Sequence, residues 1–395
     1  MHVRHPIWLR LAGRPGARAF ATMFTIESLC RALLSTVITV QALALLEDAR
    51  SVSIMFSLVG VTGLAASFAI PALVHRTSRR AVYSLGSALL VAAAAALALV
   101  NVPGQVAGML TRVFATACIS ITTSLYIMQY INKRDLTKSE PMRLQFAALA
   151  WTLGPWLGVK LYTSLGPVWA YGASAGAALA LLAFFWLLRL TDNPAVQMAN
   201  RPPPDPLKCI GRFVAQSRLR LAWVITFGRS CWWVFFFIYT PIYIVEAGHS
   251  AEIGAAVVSA GNALLFLTPI FGKLGARLGI RPVLSAAYLA AGLSTLLAGL
   301  FYADAIVCIS LLLIAALGCV ALDALGNIPF MRSVHPYERP EMTTVFRTYI
   351  DFSELVTPAI FAVILTLSDL RTVFMVFGAL LAAFAIWPRF LPRRM

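Results

Sequence analysis

Arg201-Pro202-Pro203-Pro204-Asp205-Pro206 lies inside the longest hydrophilic segment of the chain, residues 189–220. Prolines lack the amide hydrogen that a helix needs, so the segment reads as an extended tether. Both flanks are dominated by long apolar runs. A hydrocarbon core about 30 Å thick takes roughly 20 apolar residues per helix, and twelve such runs can be counted, six before the tether and six after it. The first falls at 19–46, the fifth at 144–165, the seventh at 219–245 and the last at 371–391. The expected organisation is an all-α membrane protein with a six-helix bundle over 1–188, a linker over 189–218 and a second bundle over 219–395.

Charge placement agrees. Most of the 32 Lys and Arg residues occupy alternate gaps between the runs; Arg50 and Arg371 alone fall in the other gaps, while Arg31, Arg112, Lys160 and Arg229 lie inside runs. Such alternation is the positive-inside pattern, and it predicts that both termini and the linker are cytoplasmic, in a bacterial-type inner membrane. The net charge of +16 is therefore a topology signal. Spread over short loops, it builds no basic domain, and no nucleic-acid partner is expected. The chain is 60% hydrophobic and 12% charged, against about 25% charged in soluble proteins. Arg4, Arg10, Arg14 and Arg18 resemble the start of a signal peptide. The run after them is too long and lacks a small-residue cleavage site, so a retained first helix is expected.

The six cysteines have no C-x-x-C spacing, so neither a metal site nor a disulfide framework is indicated, and no cofactor is expected. All five histidines fall between runs. If protons cross this protein, carboxylates must carry them.

The halves look like repeats. A shift of about 200 positions puts Gly60 on Gly261, Leu73 on Leu274, Arg76 on Arg277, Arg80 on Arg281 and Met142 on Met342. Duplicated helical units are a common plan of secondary transporters.

After the eighth run comes Gly272-Lys-Leu-Gly-Ala276-Arg277-Leu-Gly279-Ile-Arg281. It resembles the G-x-L-x-D-R-x-G-R-R loop of the major facilitator superfamily, with Ala276 in the acidic position. Pro71 to Arg80 is a second copy, with His75 in that position. The fifth run contains Ala150-Trp-Thr-Leu-Gly154-Pro155-Trp-Leu-Gly158, similar to the G-x-x-x-G-P-x-x-G-G motif of the proton-coupled antiporters in that family. Small residues four apart also allow ordinary close helix packing. Arg112 stands where the antiporters have R-x-x-x-G, with Thr116 in the Gly position. Glu27 is the nearest match to the acid in the first helix of many drug exporters. The resemblance implies twelve helices in two pseudo-symmetric bundles, with helices 1, 4, 7 and 10 lining a cavity.

A charge at bilayer depth costs at least about 2.5–3.5 kcal/mol, so it faces a partner or a cavity. Four carboxylates qualify as proton carriers: Glu27, Asp323, Asp351 and Glu354. Arg31, Arg112 and Arg229 accompany them as substrate or gating groups. Trp232 and Trp233 beside Arg229, and Asn327 four residues after Asp323, suit an organic substrate with a flat or anionic part. The plainer readings are a structural Glu27–Arg31 pair, carboxylates that join helices, and aromatic side chains at the membrane interface. No nucleophile motif or phosphate loop points to an enzyme. The expected function is proton-coupled antiport, exporting a small amphipathic organic molecule by alternating access. One alternative is a proton symporter importing an organic anion such as a siderophore or carboxylate. Another is a non-transporting sensor or lipid-handling protein. The expected partners are the substrate, protons and the bilayer, with the chain acting as a monomer.

Overall fold

The computed structural model describes residues 17–130, 136–188, 206–334 and 339–392. The chain is an all-helical membrane protein of the twelve-helix kind. In order, the long helices are α1 (Ala17–Leu46), α2 (Ala49–Arg76), α3 (Arg79–Leu97), α4 (Val102–Tyr130), α5 (Leu136–Ser164) and α6 (Pro167–Leu187). They continue with α7 (Ser217–Glu246), α8 (Ala251–Leu278), α9 (Ile280–Leu300), α10 (Ala305–Ser333), α11 (Arg339–Leu367) and α12 (Leu370–Phe390). Among the described residues, eleven are long and apolar enough to cross a membrane. The remaining one, α5, starts eight residues before the apolar run at 144, because its first turns are polar.

Helix ends follow local chemistry. The Asp304 side chain accepts from the backbone N–H groups of Ile306 and Val307 at 3.1 Å each and starts α10; Ser78 starts α3 in the same way. Such caps satisfy amides that the first turn leaves without partners. Proline sets the interruptions: α8 passes through a 3-10 turn, Leu264–Leu267, just before Pro269. α10 breaks after Leu325 and resumes at Ile328, just before Pro329.

The contacts divide the chain into two compact units. One comprises the described residues of Met1–Leu45 and Val61–Ala199; the other comprises those of Leu46–Gly60 and Asn200–Met395. The first half of α2 thus belongs with the second unit, where the Ser53 and Tyr239 hydroxyls lie 2.7 Å apart. In the first unit the core gathers Phe20, Tyr83, Tyr126 and Phe185. In the second, Phe330 stacks on Phe346 at 4.0 Å, within a cluster that includes Leu219 and Tyr349.

Two expectations change here. Part of the tether is helical: Pro206–Ala215 forms a short helix whose Cys209 and Phe213 are buried. Pro206 at its first position costs nothing, since that amide would have no helical partner in any case. The segment from Gly272 to Arg281 is not a loop either. It is helical through Leu278, turns at Gly279 with φ +92° and resumes at Ile280.

Candidate functional site

Arg229, on α7, is 8% exposed. Its Nη1 lies 2.6 Å from Asp323 Oδ1, and its Nη2 donates to the Tyr349 hydroxyl at 2.9 Å. The other Asp323 oxygen accepts from the Trp233 indole N–H at 2.8 Å. Three helices, α7, α10 and α11, therefore converge on one ion pair. The Asp323 side chain keeps 22% of its surface exposed. Removing either partner alone would strand a charge out of water.

The break in α10 lies one turn beyond Asp323. There the Thr226 hydroxyl of α7 approaches the Gly326 carbonyl at 3.3 Å. Arg229 Nε and Asn327 Oδ1 are buried, and neither makes a hydrogen bond among the described residues. One is a donor and the other an acceptor. Aromatic rings frame the same stretch of α7: Trp223 stacks on Phe227 at 5.0 Å, and its N–H donates to Thr348.

The first unit holds a second charged group of different build. Arg31 Nη1 is 3.8 Å from Glu27 Oε1, too long for a hydrogen bond. The Arg31 guanidinium carbon is 5.8 Å from the centre of the Trp151 ring. Arg112, from α4, donates to the Arg31 backbone carbonyl at 3.0 Å. Behind this group, Gln41 donates to Gln105 and to the Leu97 carbonyl, while the Tyr171 hydroxyl donates to Gln41.

The candidates from the sequence thus separate. Arg229, Asp323, Trp233 and Asn327 fall in one neighbourhood; Glu27, Arg31 and Arg112 fall in another. Trp232 is fully buried, stacked on Phe236 at 4.9 Å, and its N–H donates to the Thr295 hydroxyl. Asp351 and Glu354 are partly buried on α11. What α11 brings to Arg229 is instead Tyr349, which periodicity alone did not single out.

Gly154 and Gly158 seat α5 on α1. A Cβ at Gly154 would lie 2.5 Å from the Ala32 Cβ, and one at Gly158 would fall on the Leu33 carbonyl oxygen. Pro155, between them, is buried. A Cβ at Gly272 would meet nothing within 4 Å, whereas one at the neighbouring Gly275, not among the expected residues, would lie 2.6 Å from the Leu325 side chain. Arg277 is exposed and Arg281 half-buried.

A helical membrane fold in two units, with charged groups on its helices, fits the plan of a secondary transporter. The sequence profile described as Major Facilitator Superfamily matches residues 20–268 and again 248–395. The chain belongs to that superfamily. No curated protein matches it in sequence. The fold is similar to a POT family transporter solved with 5-aminolevulinic acid, at TM-score 0.73 and 12% identity over 94% of each chain. It is also similar to the nucleoside transporter NupG, at TM-score 0.74 and 14% identity over 94% of this chain and 98% of that one. A peptide transporter POT solved with sulfate gives TM-score 0.73 and 14% identity over 94% and 93%.

Proposed function

We propose that this transporter moves a small organic molecule bearing an acidic group together with a proton, by alternating access. Arg229 takes the acid and Asp323 carries the proton. The observation that carries this reading is the closed Arg229–Asp323 pair, 2.6 Å long. An acid that binds Arg229 displaces Asp323 and leaves its carboxylate without a cation, with only the Trp233 N–H still donating to it. Breaking such a buried pair costs about 3–5 kcal/mol, and the exposure of Asp323 favours the lower end. A proton on Asp323 removes that cost, so acid and proton favour each other's binding. A coupling of about 3 kcal/mol corresponds to roughly a hundredfold in affinity.

Export by exchange with protons is the second reading. The Gly154–Pro155–Gly158 contact with α1 supports it, because the motif resembles that of the antiporter branch. In that case proton and substrate would compete at Asp323. Under either reading the protein sits in a bacterial inner membrane with both termini in the cytoplasm, as the basic-residue ladder indicates. Glu27, Asp351 and Glu354 are the remaining carboxylates that could share the proton.

The test compares metabolite accumulation in cells expressing the wild type, Asp323→Asn or an empty vector. Cotransport predicts enrichment of some organic acid with the wild type that Asp323→Asn abolishes. Depletion of a compound by the wild type favours exchange. Gradient-driven accumulation that survives Asp323→Asn overturns Asp323 as the proton carrier.

A further inference from the structure

Behind the ion pair, Tyr288 of α9 does something unusual to α7. Its hydroxyl donates to the Ile225 carbonyl and accepts from the Arg229 backbone N–H at 3.1 Å. Those are the two groups that an α-helix normally joins to each other, four residues apart. α7 runs as one helix through Ser217–Glu246, so the hydroxyl ties α9 to two backbone groups of a single turn. Space for it comes from Gly228: a Cβ there would lie 3.0 Å from the Tyr288 hydroxyl and 2.5 Å from the Phe384 ring. Tyr288 itself is fully buried.

The platform that delivers this hydroxyl is stiff. α9 and α12 approach at backbone level through glycines. A Cβ at Gly292 would strike the Ala382 backbone, and one at Gly378 the Leu296 backbone. The Tyr288 ring also packs on Phe384 of α12, with centroids 5.9 Å apart. A residue held this firmly fixes the height and rotation at which Arg229 leaves the helix. The Arg229 guanidinium reaches Asp323 and Tyr349 together from that position.

We propose that Tyr288 is a positioning residue of this site: its hydroxyl bridges the Ile225 carbonyl and the Arg229 backbone N–H and links the state of the Arg229–Asp323 pair to α9. The inference rests on the reading of that pair as the proton-coupling site. When Asp323 is protonated or leaves, the pull on the Arg229 guanidinium changes. The backbone of Arg229, and with it the bridging hydroxyl, then shifts.

Protons themselves are the probe. 3-Fluorotyrosine placed at position 288 keeps the shape and the hydroxyl, and its fluorine resonance reports that hydroxyl's surroundings. In purified protein the resonance should move as pH is lowered, and the movement should vanish in Asp323→Asn. Emission from Trp233, isolated by subtracting Trp233→Phe, follows Asp323 independently. A fluorine signal that stays still while Trp233 responds overturns the role of Tyr288 and leaves the proton-site reading standing. Gradient-driven transport retained in Asp323→Asn sinks the reading beneath it instead. As a second arm, Tyr288→Phe is made in the wild type and in Asp323→Asn. A purely structural tyrosine costs the same melting temperature in both, whereas coupled residues deviate from additivity. If Tyr288→Phe does not fold, the fluorine measurement decides alone.

Discussion

Two charged groups among the described residues are built on different plans. In the second unit, Arg229 and Asp323 come from different helices, touch at 2.6 Å, and are each held by a further side chain. In the first, Glu27 and Arg31 lie on one helix, 3.8 Å apart, and Arg112 donates to the Arg31 backbone carbonyl. The Arg31 side chain keeps 32% of its surface exposed, the Arg229 side chain 9%. A pair closed across helices couples their positions to protonation. The Glu27–Arg31 pair lies within one helix turn, and the first unit adds close contact at glycines and a neutral amide network.

Substitutions can break this contrast. The largest effect is expected from Asp323→Ala, which strands a buried guanidinium at a cost of about 3–5 kcal/mol. Glu27→Ala removes a carboxylate 3.8 Å from a guanidinium that keeps access to solvent, and should cost less than Asp323→Ala. Melting curves in detergent would measure both. Equal losses would abolish the distinction between the two groups.

Next come the glycines. Gly158→Ala forces α5 away from the Leu33 backbone and should cost about 1–3 kcal/mol or more, with a lower folded yield. Gly272→Ala, in open helical surroundings, should gain up to about 1 kcal/mol. If Gly158→Ala expresses and melts like the wild type, the α1–α5 contact is not what stiffens the first unit.

Gln41→Leu tests the neutral network. It leaves the Gln105 side-chain oxygen and the Tyr171 hydroxyl without their partner in a buried place, at about 1–3 kcal/mol for each group. Replacing Gln41, Gln105 and Tyr171 together by apolar residues should recover much of the loss. No recovery would mean that the network does more than satisfy itself.

The smallest effect lies at a helix end. Asp369 accepts from the Thr372 backbone N–H and hydroxyl at 2.9 and 2.8 Å. Those bonds, the backbone one foremost, hold its carboxyl below the usual carboxylate range. A depressed value means the carboxylate stabilises the fold above the unfolded value, near pH 3.9. That contribution is lost as pH falls through the lower folded value. Asp369→Ala should cost about 1 kcal/mol at neutral pH, and its melting temperature should approach that of the wild type in strong acid. A constant gap down to pH 2 would exclude the carboxylate as its source.

How much of this could be read from the chain differs by region for physical reasons. The helices were legible because each must hide its backbone from lipid over a fixed length. The Gly154–Gly158 spacing was legible because small residues four apart lie on one face. The partnership of Arg229 with Asp323 was not, since it joins helices separated by two others. Tyr288 was hidden more thoroughly. In an apolar run a tyrosine reads as an interfacial anchor, and only the absent side chain of Gly228 makes room for its hydroxyl. The helix over Pro206–Ala215 could have been read. Pro206 at its start and the four-residue step from Cys209 to Phe213 were there, overshadowed by the three prolines before them.

All six native cysteines are buried, Cys209 among them on that short helix. Thiol reagents act on exposed thiolates, so a folded wild-type chain offers a maleimide almost nothing to alkylate. The natural sequence is then its own blank for labelling chemistry, with no need to strip out cysteines and risk the packing around them. A single new thiol at position 205 or position 48 would stand alone as the reactive one. A reagent unable to cross a bilayer would then read, from whole cells, which side of the membrane each position occupies.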